Sequence, residues 1–197
     1  MSLTVRAVRG PDALALIGEL ARLRTLVFRE YPYLYDGHPD YEEAYLRRYL
    51  AAPDLLLVLA RDGEQVVGAS SALPLTQEGP EILSPFLASP TDPETVLYLG
   101  ESVLRPEYRG RGLGHAFFDE REAHAERLGL RVTSFCAVVR PEDHSARPAT
   151  YRPLNAFWAA RGYREQPDLH THLAWPEVDQ PGESDHLMRF WVRGAGG

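Results

Sequence analysis

Residues 105–114, RPEYRGRGLG, form a glycine-rich connection between a predicted strand over residues 95–104 and a predicted helix over residues 112–128. Glycine lets the backbone approach a bulky anion closely, and the free N–H groups at the start of a helix point at such an anion. Arg109 and Arg111 add positive charge to the same turn. The pattern predicts a phosphate-binding turn, with a flexible connection that binds nothing as the alternative.

Two familiar phosphate-binding motifs do not fit this turn. A P-loop requires a lysine after its last glycine, and the chain contains no lysine. The dinucleotide-binding fingerprint requires a third glycine where this chain has His115. Both motifs are therefore excluded.

The rest of the chain predicts one α/β domain over residues 1–197, with a mixed sheet and helices on both faces. Predicted strands cover residues 3–8, 55–60, 65–73, 95–104, 130–139, 170–175 and 186–192. Predicted helices open at Gly10 and cover residues 41–50, 112–128 and 153–161. Asp62-Gly63 predicts a hairpin turn, and Gly129 predicts the end of the third helix. The proline-rich stretch near 76–93 shows little periodicity and is interpreted as a surface insertion.

Composition narrows the class of function. The net charge of −7 argues against a nucleic-acid partner, because such proteins present a basic face. Cys136 is the only cysteine, so no intrachain disulfide can form. No apolar run approaches the length of a membrane helix, and the first twenty residues lack the apolar core of a secretory signal. We therefore expect a cytoplasmic protein without a membrane partner.

Two segments together resemble the signature segments of the GNAT superfamily of N-acetyltransferases. The first is the spacing of Arg109, Gly112 and Gly114, with the lead-in at residues 104–108. The second is an aromatic residue followed by a glycine–aromatic pair, at residues 157–163, FWAARGY. They stand in the family's order with a predicted strand between them. The resemblance is sharp over residues 98–163 and only topological before residue 73.

The resemblance implies a GNAT-like sheet, mostly antiparallel, with one parallel pair of strands splayed to hold the cofactor. It implies acetyl-CoA as the acetyl donor, with its pyrophosphate on the amides of the glycine-rich turn and its pantetheine arm along the preceding strand. The cofactor-binding residues implied in this way are Ser102, Val103, Leu104, Arg109, Gly110, Arg111, Gly112, Leu113 and Gly114. Asn155, in the helix that flanks the pantetheine, is a further contact or a surface amide.

The implied chemistry needs a base. A lysine-like amine has a pKa of about 10.4 and is mostly protonated at neutral pH, and a protonated amine cannot attack a thioester. A carboxylate within reach can accept the proton. Glu101 is the candidate base, because family members often place a carboxylate three residues before the position of Leu104. A structural ion pair with a nearby arginine is the alternative for Glu101.

A general acid is harder to assign. Family members often use a tyrosine where this chain has Trp158, and an indole cannot supply the proton. Tyr151, one to two helical turns earlier, is the candidate acid, and a packing or capping role is its alternative. Tyr163 is predicted to lie in the core.

The region after the first helix shapes the acceptor pocket in family members. In this chain the region carries Glu30, Tyr31, Tyr33 and Tyr35. Aromatic walls with an acidic group suit a cationic amine, and a packed surface loop is the alternative. His170 and His172 lie on one strand face without an evident third ligand, so no metal site is predicted.

The resemblance thus predicts an enzyme that transfers acetyl from acetyl-CoA directly to a primary amine of a small molecule or peptide. A catalytically weak module that binds acetyl-CoA and regulates a partner is the alternative, supported by Trp158. Transfer of a longer acyl group and assembly into a homodimer also stay open.

Overall fold

The computed structural model describes residues 3–8 and 11–194. Its strands are β1 (Leu3–Val8), β2 (Leu56–Asp62), β3 (Gln65–Pro74), β4 (Val96–Tyr98), β5 (Ser102–Leu104), β6 (Val132–Val138), β7 (Arg164–Pro176) and β8 (Glu183–Arg193). Its helices are α1 (Pro11–Leu14), α2 (Ile17–Phe28), α3 (Pro39–Tyr49), α4 (Pro80–Leu87), α5 (Leu113–Leu128) and α6 (Asn155–Ala160). Gly10, the predicted start of the first helix, lies outside the described residues.

The strands form one mixed sheet in the order β1-β2-β3-β4-β6-β8-β7, with β5 paired to β3. β4 and β6 are parallel, and the other pairs are antiparallel. This arrangement confirms the predicted fold class. Asp62 and Gln65 flank the predicted hairpin turn, and Gly129 ends α5 at a positive φ of 70°, a conformation that glycine adopts readily.

Helices cover both faces of the sheet. On one face, α2, α3 and α4 pack on residues such as Leu57, Leu73 and Val103. On the other face, α5 and α6 pack on residues such as Leu56, Leu97 and Phe135. In the part of the chain that the structure describes, no helix combines the length and apolar character needed to cross a membrane.

The single strand predicted over residues 95–104 is wrong, because the backbone changes partners in its middle. The Leu99 N–H donates to Ser134 O of β6 at 2.7 Å, whereas the Gly100 N–H donates to Ser71 O of β3 at 3.1 Å. A Cβ on Gly100 would lie 2.1 Å from the Tyr49 hydroxyl. Nothing in the sequence pattern of residues 95–104 indicates this close approach. After the break β5 pairs with β3, whereas β6 pairs with β4, and this leaves a gap between β5 and β6, the cleft.

The surface position predicted for residues 76–93 is wrong for α4. Its Phe86 is fully buried, and its ring lies edge-on to Phe190 with centroids 5.0 Å apart. Ile82 is buried on the same helical face. The short helix carries Pro80 at its start and Pro85 inside, so its periodicity is hard to see in the sequence. That the stretch is an insertion in a single domain stays a prediction.

Candidate active site

The glycine-rich turn opens onto the first turn of α5. Gly110 and Gly112 have positive φ angles of 73° and 82°, and a Cβ added at either would meet no atom within 4 Å. No side chain caps the first amides of α5, and the first turn of a helix leaves such N–H groups without intrahelical partners. These features provide open space, donors and a positive helix terminus for an anion.

Arg109 lies between this turn and the cleft. Its guanidinium donates to the Leu104 carbonyl at 3.2 and 3.3 Å and pairs with Glu30 at 2.8 Å. The Leu104 carbonyl is therefore on the outer edge of β5, away from β3. Both side chains of the pair are partly exposed, so the pair is weak and a bound phosphate can compete with Glu30 for Arg109.

Ser71 of β3 fixes the strand break. Its N–H donates to Glu101 O at 3.0 Å, and its hydroxyl accepts the Glu101 N–H at 3.2 Å. From the other face of the sheet, Arg121 donates to the same carbonyl at 3.4 Å. The backbone amides of Leu99, Gly100 and Glu101 are all engaged. These three amides are therefore unavailable as donors to an oxyanion in the cleft.

Glu101 takes part in a network with Arg24. The Arg24 guanidinium pairs with both Glu101 and Glu42, and the Tyr45 hydroxyl donates to Glu101 at 3.3 Å. Glu42 is fully buried and also accepts the Tyr35 hydroxyl at 2.6 Å. The structural ion pair that is the alternative to a base role for Glu101 is thus present. A guanidinium partner stabilises the ionised carboxylate and weakens it as a proton acceptor.

Glu78 is a second carboxylate at the strand break. It accepts the Tyr49 hydroxyl at 3.1 Å, and that hydroxyl lies over Gly100 and 3.4 Å from the Ser71 hydroxyl. Burial raises the pKa of Glu78, and the Gly79 N–H and the Tyr49 hydroxyl oppose this shift. Sequence reasoning missed Glu78, because it lies in the stretch interpreted as a surface insertion.

Tyr98 and Cys136 lie on the parallel strands β4 and β6, near enough to Glu78 for its negative charge to raise the pKa of both side chains. The Tyr98 hydroxyl and the Cys136 sulfur are 3.1 Å apart. Burial raises the pKa of the Cys136 thiol to about 12 and that of Tyr98 well above its usual value. Only a thiolate is an effective nucleophile, so Cys136 is not suited to carry an acyl group at neutral pH.

The predicted acceptor residues separate into two groups. Tyr31 lies edge-on to Tyr151 with ring centroids 4.7 Å apart, and Tyr33 packs against Phe28 at 4.9 Å. Tyr35 binds Glu42 instead, and Glu30 binds Arg109. The structure therefore brings Tyr31 together with the candidate acid Tyr151, whereas Tyr35 and Glu30 have intramolecular partners.

The helix α6 lies against the start of α5. Phe157 packs on His115 and Phe118, with centroids 4.9 and 5.6 Å apart, and Arg161 binds Asp119 and Glu122 of α5 at 2.7 and 2.8 Å. These contacts place Asn155, the exposed first residue of α6, on the helix that flanks the glycine-rich turn.

Trp158 and Tyr163 pack against other aromatic side chains. Trp158 packs on Phe135 and Trp191, with centroids 5.0 and 5.2 Å apart. Tyr163 is 1% exposed, which confirms its predicted core position. Elsewhere, His172 binds Asp185 at 2.6 Å, and no cluster of three or more metal-ligating side chains occurs within residues 3–8 and 11–194.

The chain matches the model of the acetyltransferase (GNAT) family over residues 20–155 and belongs to that family. Among solved structures, it is similar to yncA from Salmonella typhimurium with its cofactor acetyl-CoA: 13% identity, TM-score 0.59, 100% of this chain and 95% of that chain covered. It is also similar to the PaiA N-acetyltransferase from Thermoplasma acidophilum in complex with coenzyme A: 14% identity, TM-score 0.52, coverages 98% and 99%. An acetyltransferase from Thermus thermophilus has 16% identity and a TM-score of 0.58, with coverages of 98% and 97%. No curated protein matches the chain significantly.

The acetyl donor of this family is acetyl-CoA. The residues of this chain fit such a donor, because the open space at Gly110 and Gly112 would be filled by any larger side chain. The uncapped amides of α5 suit a pyrophosphate. The outer edge of β5 carries a carbonyl bound only by the exposed Arg109 side chain among the described residues, and it suits an amide-bearing arm.

Proposed function

We propose that the protein is an acetyl-CoA-dependent N-acetyltransferase that acetylates a primary amine of a small molecule or peptide. The observation that carries this proposal is the cleft between β5 and β6, which ends at the uncapped, glycine-lined start of α5. The turn from Arg109 to Gly114 binds the pyrophosphate, and Ser102, Val103 and Leu104 bind the pantetheine arm through their backbone. When bound, acetyl-CoA supplies an acetyl thioester, which an amine can attack.

The surroundings of the cleft support direct transfer to the acceptor. The protonated Cys136 thiol makes an acetyl-cysteine intermediate unfavourable. The acceptor enters beside Tyr31 and Tyr33, whose rings can pack on the carbon chain of a cationic amine. The amides of residues 99–101 are engaged, and the backbone donor to the developing oxyanion is assigned to β5 in this proposal. A cytoplasmic location and a homodimer stay predictions from the sequence.

The direct test of the proposed function is an assay of the purified chain with acetyl-CoA and a broad panel of amines. The panel should hold polyamines, amino acids, aminoglycosides and peptides with free N-termini, and released coenzyme A is measured with a thiol reagent. We expect that at least one amine causes release of the coenzyme A thiol. Mass spectrometry should show that this amine gains about 42 mass units, the mass added by one acetylation. Tight acetyl-CoA binding without turnover on any amine would favour a regulatory module instead.

Replacing Tyr151 with phenylalanine should reduce turnover about tenfold to a thousandfold, within or below the usual range for a general acid. Burial and the neighbouring Tyr31 raise the pKa of the Tyr151 hydroxyl, so the hydroxyl keeps its proton throughout the neutral range and can deliver it to the leaving thiolate. Phenylalanine keeps the edge-on contact with Tyr31. Turnover against pH, with acetyl-CoA affinity measured alongside, is the informative experiment.

Tyr31→Phe is the matched control, because it removes a hydroxyl from the partner ring of the same pair. An acid role for Tyr151 requires that Tyr151→Phe alone loses the decline in rate at high pH. If the two variants share the parental rate and pH profile, the Tyr151 ring only packs, and water protonates the thiolate.

A further inference from the structure

We propose that Glu78, and not Glu101, accepts the proton from the acceptor amine. This inference rests on the proposed acetyltransferase function and assigns its base. Each of the two carboxylates accepts a hydrogen bond from a tyrosine of α3. The rings of these tyrosines, Tyr45 and Tyr49, are stacked with centroids 5.6 Å apart. The Tyr45 hydroxyl binds Glu101, and the Tyr49 hydroxyl binds Glu78. The two sites differ in the charge that surrounds each carboxylate.

Glu101 has a cationic partner, whereas Glu78 has none among the described residues. Glu101 and Glu42 share the Arg24 guanidinium. No ion pair within the described residues includes Glu78, and the titratable groups near it are Tyr45, Tyr49, Tyr98 and Cys136. All four have raised pKa values and are neutral at neutral pH. A partly buried carboxylate without a cation attracts a protonated amine and holds its proton better than an ion-paired one.

Glu78 also borders the place where the two parallel strands separate. Its partner Tyr49 lies so close to Gly100 that a Cβ there would come within 2.1 Å of the hydroxyl. Leu99, the residue before Gly100, makes the bond to Ser134 of β6 next to the strand break. The Tyr49 hydroxyl thus connects Glu78 to the strand break, and Tyr98 and Cys136 are near enough to Glu78 to feel its charge. In the proposed reaction, the acceptor amine meets the donor's acyl group here. The acceptor class that this environment favours is a primary alkylamine that arrives as an ammonium ion.

The proposed transfer moves one acetyl group from sulfur to nitrogen and releases one proton. The ammonium ion gives one proton to the Glu78 carboxylate, which later releases it to solvent. The neutral amine nitrogen forms a bond to the acyl carbon, and the bond from that carbon to sulfur breaks. The nitrogen loses a second proton as the amide forms, and the departing thiolate gains one. The products are the acetylated amine, a free thiol and one proton.

Glu78→Gln tests the assignment, because glutamine keeps the size of the side chain and can still accept the Tyr49 hydroxyl. We expect turnover to fall about 10²- to 10⁴-fold, with acetyl-CoA affinity unchanged by calorimetry. The parent should lose rate as pH falls through the raised pKa of Glu78, and the variant should lack this acidic limb. Glu101→Gln should keep the limb and lose less rate. Glu81→Gln, at an exposed position on α4, is the control for removing a charge nearby.

Rescue by a small acid provides an independent readout. In Glu78→Ala, added formate can occupy the vacated space and should restore turnover at least about tenfold, within the range expected for a base. Three results would overturn the assignment: parental turnover in Glu78→Gln, an unchanged acidic limb with only a raised KM, or loss of the limb in Glu101→Gln instead. If the parent binds acetyl-CoA but acetylates no amine, the proposed function fails, and with it any base.

Discussion

Gly112→Asp should weaken acetyl-CoA binding about 10²- to 10⁴-fold while the chain stays folded. The aspartate would place a side chain and a negative charge in the open space beside the uncapped amides of α5. If it displaces about two charge-assisted hydrogen bonds of about 1.5–3 kcal/mol each, the loss is about 3–6 kcal/mol, which corresponds to that range of affinity. Isothermal calorimetry with acetyl-CoA measures the effect, and circular dichroism with thermal unfolding confirms folding.

Gly129→Asp is the matched control for this variant. Gly129 ends the same helix with a φ of 70°, close to the 82° of Gly112, and a Cβ at either residue meets nothing within 4 Å. Both substitutions impose the strain of a left-handed conformation, about 1–2 kcal/mol, and both add one negative charge. Only Gly112 borders the proposed phosphate site. Equal acetyl-CoA affinity in the parent and Gly112→Asp, or equal losses in both variants, would remove the cofactor from this turn.

The glycine-rich turn could be predicted from the sequence because its determinants are local. The conformations of Gly110 and Gly112, the charges of Arg109 and Arg111 and the start of α5 all lie within one short segment. Most of the order of strands and helices was predictable for the same reason, since their apolar periods are contiguous; the exceptions are α4 and the break between β4 and β5. The parallel pair of β4 and β6 followed from the resemblance to the family, which its match confirms.

The surroundings of the candidate site were less predictable, because residues from distant segments of the chain form them. The strand break depends on the contact of Gly100 with Tyr49 of α3 and on the hydrogen bonds of Ser71, which no local pattern encodes. Glu78 lies between β3 and the unexpected helix α4, and its hydrogen bond with Tyr49 connects it to the strand break. Arg24 did leave a signal, because it lies one turn after Leu20 on the apolar face of α2. A charge on such a face indicates a buried partner.

Arg24→Met should lower the free energy of unfolding by about 3–5 kcal/mol, because it leaves a buried carboxylate without its cation. Glu42 is fully buried and pairs with Arg24, and its other oxygen accepts the Tyr35 hydroxyl at 2.6 Å. Methionine preserves most of the aliphatic stem of arginine, so the loss reflects charge more than volume. For a domain of this size, about 2–4 °C of melting temperature corresponds to each kcal/mol. We therefore expect the melting temperature to fall by about 6–20 °C.

Two further variants separate the buried pair from a general loss of charge. Arg29→Met breaks the pair between Arg29 and Asp36, whose side chains are both 54% exposed, and exposed pairs contribute at most about 1 kcal/mol. The double variant Arg24→Met/Glu42→Gln removes the stranded carboxylate and should recover much of the stability, since neutral replacement of a buried pair often costs little. The coupling energy from this double-mutant cycle measures the interaction directly. Arg24→Met would contradict the buried-network interpretation if it destabilised the protein no more than Arg29→Met, or if the second substitution made the loss larger.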